Sequence, residues 1–166
     1  MPERCGDVSP VSNPLPTRAV VIDASIAIAI STREADREPL ASAELLRLSN
    51  AGYLFYAPGA ILAETLFVLC HKLQNGLLTP VEHTQAIVDF GTLLLKILPP
   101  PNGEASLATR AEAIRSGYSC RRSADGIYIA LAEELTTTMT TLLLTFDQDM
   151  KSQVAQNAPP VTVLAL

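Results

Sequence analysis

The segment TLLLTFD, residues 141–147, is a short apolar run that ends in a carboxylate. Its length and leucine content are typical of a strand that is buried on both faces. RAVVID, residues 18–23, is a second run of this kind, rich in β-branched side chains and again ended by an aspartate. Helical patterns separate such runs along the chain. The sequence therefore predicts an α/β fold, with a mostly parallel central sheet between two layers of helices.

Several segments carry helical spacing and helix end signals. Ser25 is in position to cap a helix that begins at Ile26, and Ser123 to cap the helical segment after it. Four further helices are predicted from Glu38 to about Gly52, from about Gly59 to Gln74, from Thr79-Pro80 toward Lys96, and from about Glu104 to Arg115. Pro99 to Pro101 end the third of these.

Length and composition indicate how many domains the chain forms and where in the cell it is expected. With 166 residues, of which 48% are hydrophobic, the chain can bury the core of one domain. We expect this domain over residues 18–166, because residues 1–17 hold too few apolar side chains to repay ordering and are expected to be disordered. No apolar run reaches the roughly 20 residues of a membrane span, and no secretion signal is evident. We expect a cytoplasmic protein without membrane association.

Three aspartates are expected at one edge of the sheet. Asp23 and Asp147 directly follow the two predicted strands, and in parallel sheets ligands bind at the carboxyl ends of strands. Asp125 belongs to the first turn of a predicted helix, where the helix dipole favours an anion and directs it to the same edge. Asp149 is a second acid near the last position, but the place directly after the strand favours Asp147.

Glu64 is the most informative acid, because it is the only charged residue of the apolar helix AILAETLFVLC. A carboxylate without a partner in such a setting is strongly disfavoured or gives up its charge. No basic residue lies at helical spacing within this stretch, so a metal ion or a shared proton is the simplest partner. Taken singly, each of the four acids also fits an ordinary turn, cap or surface role. Their joint pattern is what indicates a site.

Converging carboxylates without histidine or cysteine ligands select hard cations, meaning Mg²⁺ or Mn²⁺ rather than zinc. Such a cluster suits the hydrolysis of a phosphodiester, because bound cations activate water and offset charge on the phosphoryl oxygens. The sequence therefore favours a metal-dependent hydrolase.

At these acids the chain resembles the PIN-domain family, particularly the bacterial VapC-type toxins. The matching segments are VVIDASIA at 20–27, YAPGAILAETLFVL at 56–69, SADGIYIALAEEL at 123–135 and LLLTFDQDM at 142–150. They stand in family order, and the resemblance covers about residues 18–166. It implies a three-layer α/β/α fold with about five strands, Mg²⁺- or Mn²⁺-dependent cleavage of RNA, and frequent homodimerisation.

The resemblance also assigns roles to residues. It makes Asp23, Glu64, Asp125 and Asp147 the catalytic, metal-binding acids. Ser25 and Thr145 match supporting positions beside the first and last of these acids, where Ser25 can hydrogen-bond a site carboxylate or a metal-bound water.

Three residues near Asp125 have competing interpretations. Arg121 and Arg122 are in position to contact RNA phosphates at the rim of the site, although a solvated pair at a helix start explains them equally well. Tyr128, three residues after Asp125, is expected to pack in the core rather than to stack on a base.

The net charge of −5 is unusual for a protein that handles RNA, since such proteins are usually basic. Removing the four site acids from the 17 Asp and Glu leaves 13, against 12 Lys and Arg. Outside the site the surface is therefore close to neutral. Cations bound in the site would bring a polyanion to it.

We expect the toxin of a type II toxin–antitoxin pair, neutralised by a small antitoxin that covers the acidic cleft. A housekeeping RNA-processing PIN nuclease and a non-catalytic PIN-fold module that binds RNA or protein are the alternatives, although such a module gains nothing from an unfavourable Glu64. A phosphatase or receiver domain is less favoured. A phosphatase would need an acid at Ser25, and a receiver would need acids at Val21 and Ile22.

Overall fold

The structure of the protein, a computed structural model, describes residues 18–117 and 125–166. The predicted extension over residues 1–17, Ser123 and the pair Arg121 and Arg122 lie outside the described residues. Within the described ranges the chain forms four strands and seven helices. In chain order they are β1 (Arg18–Ile22), α1 (Ala24–Ser31), α2 (Glu38–Asn50), β2 (Leu54–Tyr56), α3 (Ala60–Gln74), α4 (Pro80–Leu94), α5 (Glu104–Gly117), α6 (Asp125–Thr136), β3 (Thr140–Thr145), α7 (Gln148–Asn157) and β4 (Thr162–Ala165).

The sheet has the strand order β2-β1-β3-β4, and all of its neighbouring strands run parallel. The two strands predicted from apolar runs, β1 and β3, are therefore its central pair. Ile22 pairs with Leu144, so the two strands end level with each other. Asp23 and the residues after β3 consequently meet at the carboxyl edge of the sheet.

The sheet has four strands in the part of the chain that the structure describes, against the prediction of about five. A single parallel bridge joins Leu98 to Tyr56 beside β2. The Leu98 amide donates to the Phe55 carbonyl at 2.8 Å. Pro99 and Pro100 follow at once and have no N–H to donate, so pairing cannot continue into a full strand.

The core surrounds the central strands β1 and β3. In β1, residues Ala19 to Ile22 are all fully buried. Helix α6 packs on β1 and β3, and α1 packs on β3 as well as on α2, α3 and α4. Burial on both faces explains the unbroken apolar character of β1 and β3 and gives the predicted three-layer α/β/α fold.

Two local features set the positions of helices. Gly126 allows α6 to approach α5 closely, because a Cβ there would lie 2.7 Å from the Ala111 carbonyl oxygen. Helix α4 begins with a capping box, in which Thr79 and Glu82 each accept from the backbone N–H of the other, and Pro80 takes the first turn. None of the helices in residues 18–117 and 125–166 has the length and apolarity to cross a membrane.

Candidate active site

Asp23 links the end of β1 to the start of α1. Its side chain caps the helix by accepting the Ser25 backbone N–H at 3.3 Å. The helix therefore begins at Ala24, and the prediction that Ser25 caps a helix from Ile26 is wrong. The reason is that the carboxylate already satisfies the first-turn amide, which leaves the Ser25 hydroxyl for another contact.

Two hydroxyl groups hold the Asp23 carboxylate. Ser25 Oγ donates to Oδ2 at 2.5 Å, and Thr145 Oγ1, from the end of β3, donates to the same oxygen at 2.8 Å. Ser25 Oγ in turn accepts the Phe146 amide at 3.0 Å, and Thr145 Oγ1 accepts the Asp147 amide at 2.9 Å. Since each hydroxyl has one proton, these contacts direct both protons to Asp23.

Glu64 lies half-buried on α3 and is held by a single hydrogen bond in the part of the chain that the structure describes. Tyr128 on α6 donates its hydroxyl to Glu64 Oε2 at 2.6 Å. Burial raises the pKa of Glu64 above its ordinary value, and the negative charges of Asp23 and Asp125 raise it further, while the Tyr128 hydrogen bond opposes them. Asp23 and Asp125 are therefore each close enough to Glu64 to repel its carboxylate.

Tyr128 itself is fully buried, so the prediction of a packing role is confirmed and no ring face is open to a base. Its pKa is strongly raised by burial first, and then by its bond to Glu64 and the surrounding acids. The phenol consequently remains a hydrogen-bond donor. Sequence reasoning found the ring but not the hydroxyl contact, although its place three residues after Asp125 puts both on one face of α6.

Asp125 is the first residue of α6 and is held by a residue that sequence reasoning missed. Gln153 on α7, only 2% exposed, donates Nε2 to Asp125 Oδ2 at 2.7 Å. Met150 and Val154, also buried, share its helix at spacings of three and one. A glutamine on this apolar stripe was the available signal for a buried polar contact.

Asp147 caps α7 and is half-buried, with Oδ1 accepting the Asp149 amide at 2.8 Å. Asp149 is exposed in the first turn of that helix. The Asp147 amide reaches Asp23 through the Thr145 hydroxyl, so the backbone ties Asp147 to the site. Asp147 has this connection and is less exposed than Asp149. Both observations favour Asp147 over Asp149 as the fourth acid of the candidate site.

The donor chemistry at this edge fits a hard cation. In residues 18–117 and 125–166, no three Asp, Glu, His or Cys side chains are close enough to hold a metal ion as they stand. Even so, Asp23, Glu64 and Asp125 offer only oxygen donors. A bound cation would relieve the repulsion of Glu64 by the other two acids. The hydrogen bonds that the structure gives to Asp23 and Glu64 all end on one oxygen of each, Oδ2 and Oε2.

Comparison with known proteins places the chain. The model of a protein family described as PIN domain matches residues 20–155, which include all four acids. The chain belongs to the PIN-domain family.

This PIN domain is also similar in fold to one chain of a solved structure. The structure is the crystal structure of VapBC2 from Rickettsia felis bound to a DNA fragment from their promoter. The TM-score is 0.61 at 12% sequence identity, and the match covers 89% of this chain and 98% of that chain. At such low identity the likeness concerns the fold. A comparison with curated proteins found no match.

The PIN domain has an apolar groove that is separate from the acids. It lies between α2 and α4, has a volume of about 360 Å³ and is lined largely by apolar side chains such as Leu45, Phe55 and Leu93. Among its lining residues only Ile22, which precedes Asp23, adjoins an acid of the site. The groove therefore lies apart from the carboxylates.

Proposed function

We propose that this PIN domain is a Mg²⁺- or Mn²⁺-dependent endoribonuclease and the toxin of a type II toxin–antitoxin pair. The observation that carries the proposal is that Glu64, on α3, lies near enough to Asp23 and to Asp125 for the charge of each to raise its pKa. Repelling carboxylates at a ligand-binding edge are disfavoured unless they serve a function. Family membership supports the same conclusion, because PIN domains are in general nucleases.

In this proposal Asp23, Glu64, Asp125 and Asp147 hold the divalent cations. When bound, the cations would activate water and offset the charge that develops on the phosphoryl oxygens. Ser25 and Thr145 fix the Asp23 carboxylate by their hydroxyl protons. The buried donors Tyr128 and Gln153 hold Glu64 and Asp125, respectively. The acids are therefore oriented before substrate arrives.

The proposed substrate is RNA, and Arg121 and Arg122 are proposed to contact its phosphates. The proposed partners are a cognate antitoxin and a second copy of this chain, in the cytoplasm. The fold likeness to a toxin–antitoxin complex supports the antitoxin. Apolar side chains that remain exposed support protein partners in general, and on α3 they include Leu62, Leu66 and Phe67.

The proposal predicts cleavage of RNA that depends on both cation and Asp23. Purified protein should cut RNA with Mn²⁺ or Mg²⁺ and stop when a chelator is added. Asp23→Asn should lower the rate by on the order of 100-fold, because a cation displaced by even about 1 Å misaligns the reacting groups. Gel assays of a labelled RNA measure the rate.

Asp89→Asn is the matched control, because Asp89 lies on α4 and pairs with Arg33. It should cut at the wild-type rate. Unchanged cleavage by Asp23→Asn would sink the site assignment. Calorimetric titration that shows no Mn²⁺ binding to the wild-type protein would instead favour a non-catalytic binding module.

A further inference from the structure

Tyr128 packs in the core through its ring, and its hydroxyl makes a separate contact with Glu64. Its ring is fully buried in the core, yet its hydroxyl reaches a site acid on another helix, Glu64 Oε2, at 2.6 Å. A buried hydroxyl needs a hydrogen-bond partner. Here that partner is a carboxylate, so the bond is charge-assisted and short.

The bond joins two helices, α3 and α6, whose main packing partners differ. Helix α3, which carries Glu64, packs against α1 and α4, whereas α6 packs against α5 and the central strands. A side-chain link between α3 and α6 bears directly on the distance from Glu64 to Asp125, at the start of α6. The Tyr128 hydroxyl supplies that link from α6, on the same helix face as Asp125.

Glu64 needs such a link because nothing else in the described residues holds its side chain at the site. The glutamate has three rotatable bonds and is half-exposed, and the charges of Asp23 and Asp125 push it away. Without a donor its carboxylate would gain hydration by turning to solvent. The hydrogen bond engages Oε2 alone.

We infer that Tyr128 is a positioning residue that holds Glu64 beside Asp23 and Asp125, so that Glu64 Oε1 stays available to a divalent cation. The inference rests on the proposed function and names a residue that would act on metal binding through a ligand. Tyr128 is buried and touches neither cation nor RNA in this role.

Tyr128→Phe tests the inference because it removes the hydroxyl and keeps the ring. Titration calorimetry of the chelator-treated protein with Mn²⁺ should show affinity weakened by about tenfold, as is typical when a partner of a metal ligand is removed. RNA cleavage should fall at limiting Mn²⁺ and recover at saturating Mn²⁺. The KM for RNA should not change.

The Glu64→Gln background separates positioning from packing. If Tyr128 acts through Glu64, adding Tyr128→Phe to Glu64→Gln should change Mn²⁺ affinity by less than about twofold. Tyr53→Phe, the same change at the amino end of β2 and beside Arg18, should leave affinity unchanged. The melting temperature of the metal-free variants reports whether they fold.

The outcomes are distinct. Wild-type protein that binds Mn²⁺, with Tyr128→Phe binding equally well, would overturn the role of Tyr128 and leave the proposed function standing. An equal loss in both Glu64 backgrounds would also overturn it. Wild-type protein without Mn²⁺ binding would overturn the proposed function and this role together. If Tyr128→Phe does not fold, Glu64→Asp, which shortens the acid away from the hydroxyl, must lose affinity by about tenfold.

Discussion

At the scale of single residues, the position of Glu64 lowers the stability of the folded protein. Its carboxylate is half-buried, and its burial and two negative neighbours raise its pKa. Folding therefore places this carboxyl group where its charged form is less favourable than it is in water. Residues that lower stability in this way are a recurring mark of functional sites.

Glu64→Gln should accordingly stabilise the metal-free protein at pH 7, while it removes a proposed ligand. The free energy of unfolding should rise, because burial first, and then the charges of Asp23 and Asp125, raise the pKa of Glu64 in the folded protein. The substitution should preserve the fold, since the new amide oxygen can still accept from Tyr128. Urea unfolding with chelator present measures the change.

The pH dependence of that gain gives a second check. Because the folded-state pKa of Glu64 is raised, the gain should be complete above this pKa and should disappear below the ordinary value of 4.5, where the wild-type side chain is protonated as well. Wild-type protein more stable than Glu64→Gln at pH 7 would contradict the electrostatic description.

At the scale of elements, helix α4 shows how local chemistry fixes a boundary. Glu82 Oε2 accepts the Thr79 amide at 2.8 Å, and Thr79 Oγ1 accepts the Glu82 amide at 3.3 Å. Thr79→Ala breaks this box and should lower the free energy of unfolding by about 1 kcal/mol. Thermal or urea unfolding measures it, with Thr92→Ala, near the end of the same helix, as control.

The box should also weaken in acid. Hydrogen bonds from the Thr79 backbone and then from its side chain lower the pKa of Glu82. The contribution of Glu82 is therefore present above its ordinary value of 4.5 and is lost as the pH falls through the lowered folded-state pKa. A Thr79→Ala difference that grew on acidification would contradict this.

At the scale of the whole molecule, metal binding should stabilise the fold, since the unfolded chain does not bring the four acids together. Mn²⁺ at about 100 times its Kd should add about 2.7 kcal/mol to the free energy of unfolding. The melting temperature should rise on addition of Mn²⁺ and return with chelator. Asp23→Asn should lose most of this rise, whereas Asp89→Asn should keep it; equal shifts in both variants would count against the site.

Local signals in the sequence were sufficient for the architecture. Apolar runs gave β1 and β3, proline and glycine gave helix ends, and the acids that follow strands were expected at the carboxyl edge. These signals are local because burial pattern and capping depend on neighbours within one or two turns. The prediction of about five strands was too high by one in the described residues, because the short segment after α4 pairs with β2 only at Leu98 before the prolines end the pairing.

The contacts that make the site were not readable from the chain. Tyr128 and Glu64 are 64 residues apart, Gln153 and Asp125 are 28 apart, and Thr145 and Asp23 are 122 apart. Periodicity can place each side chain on a helix face or strand end, but it carries no information on which face of another element lies opposite. That pairing follows from how the helices pack on the sheet, and it determines which hydroxyl or amide reaches which acid.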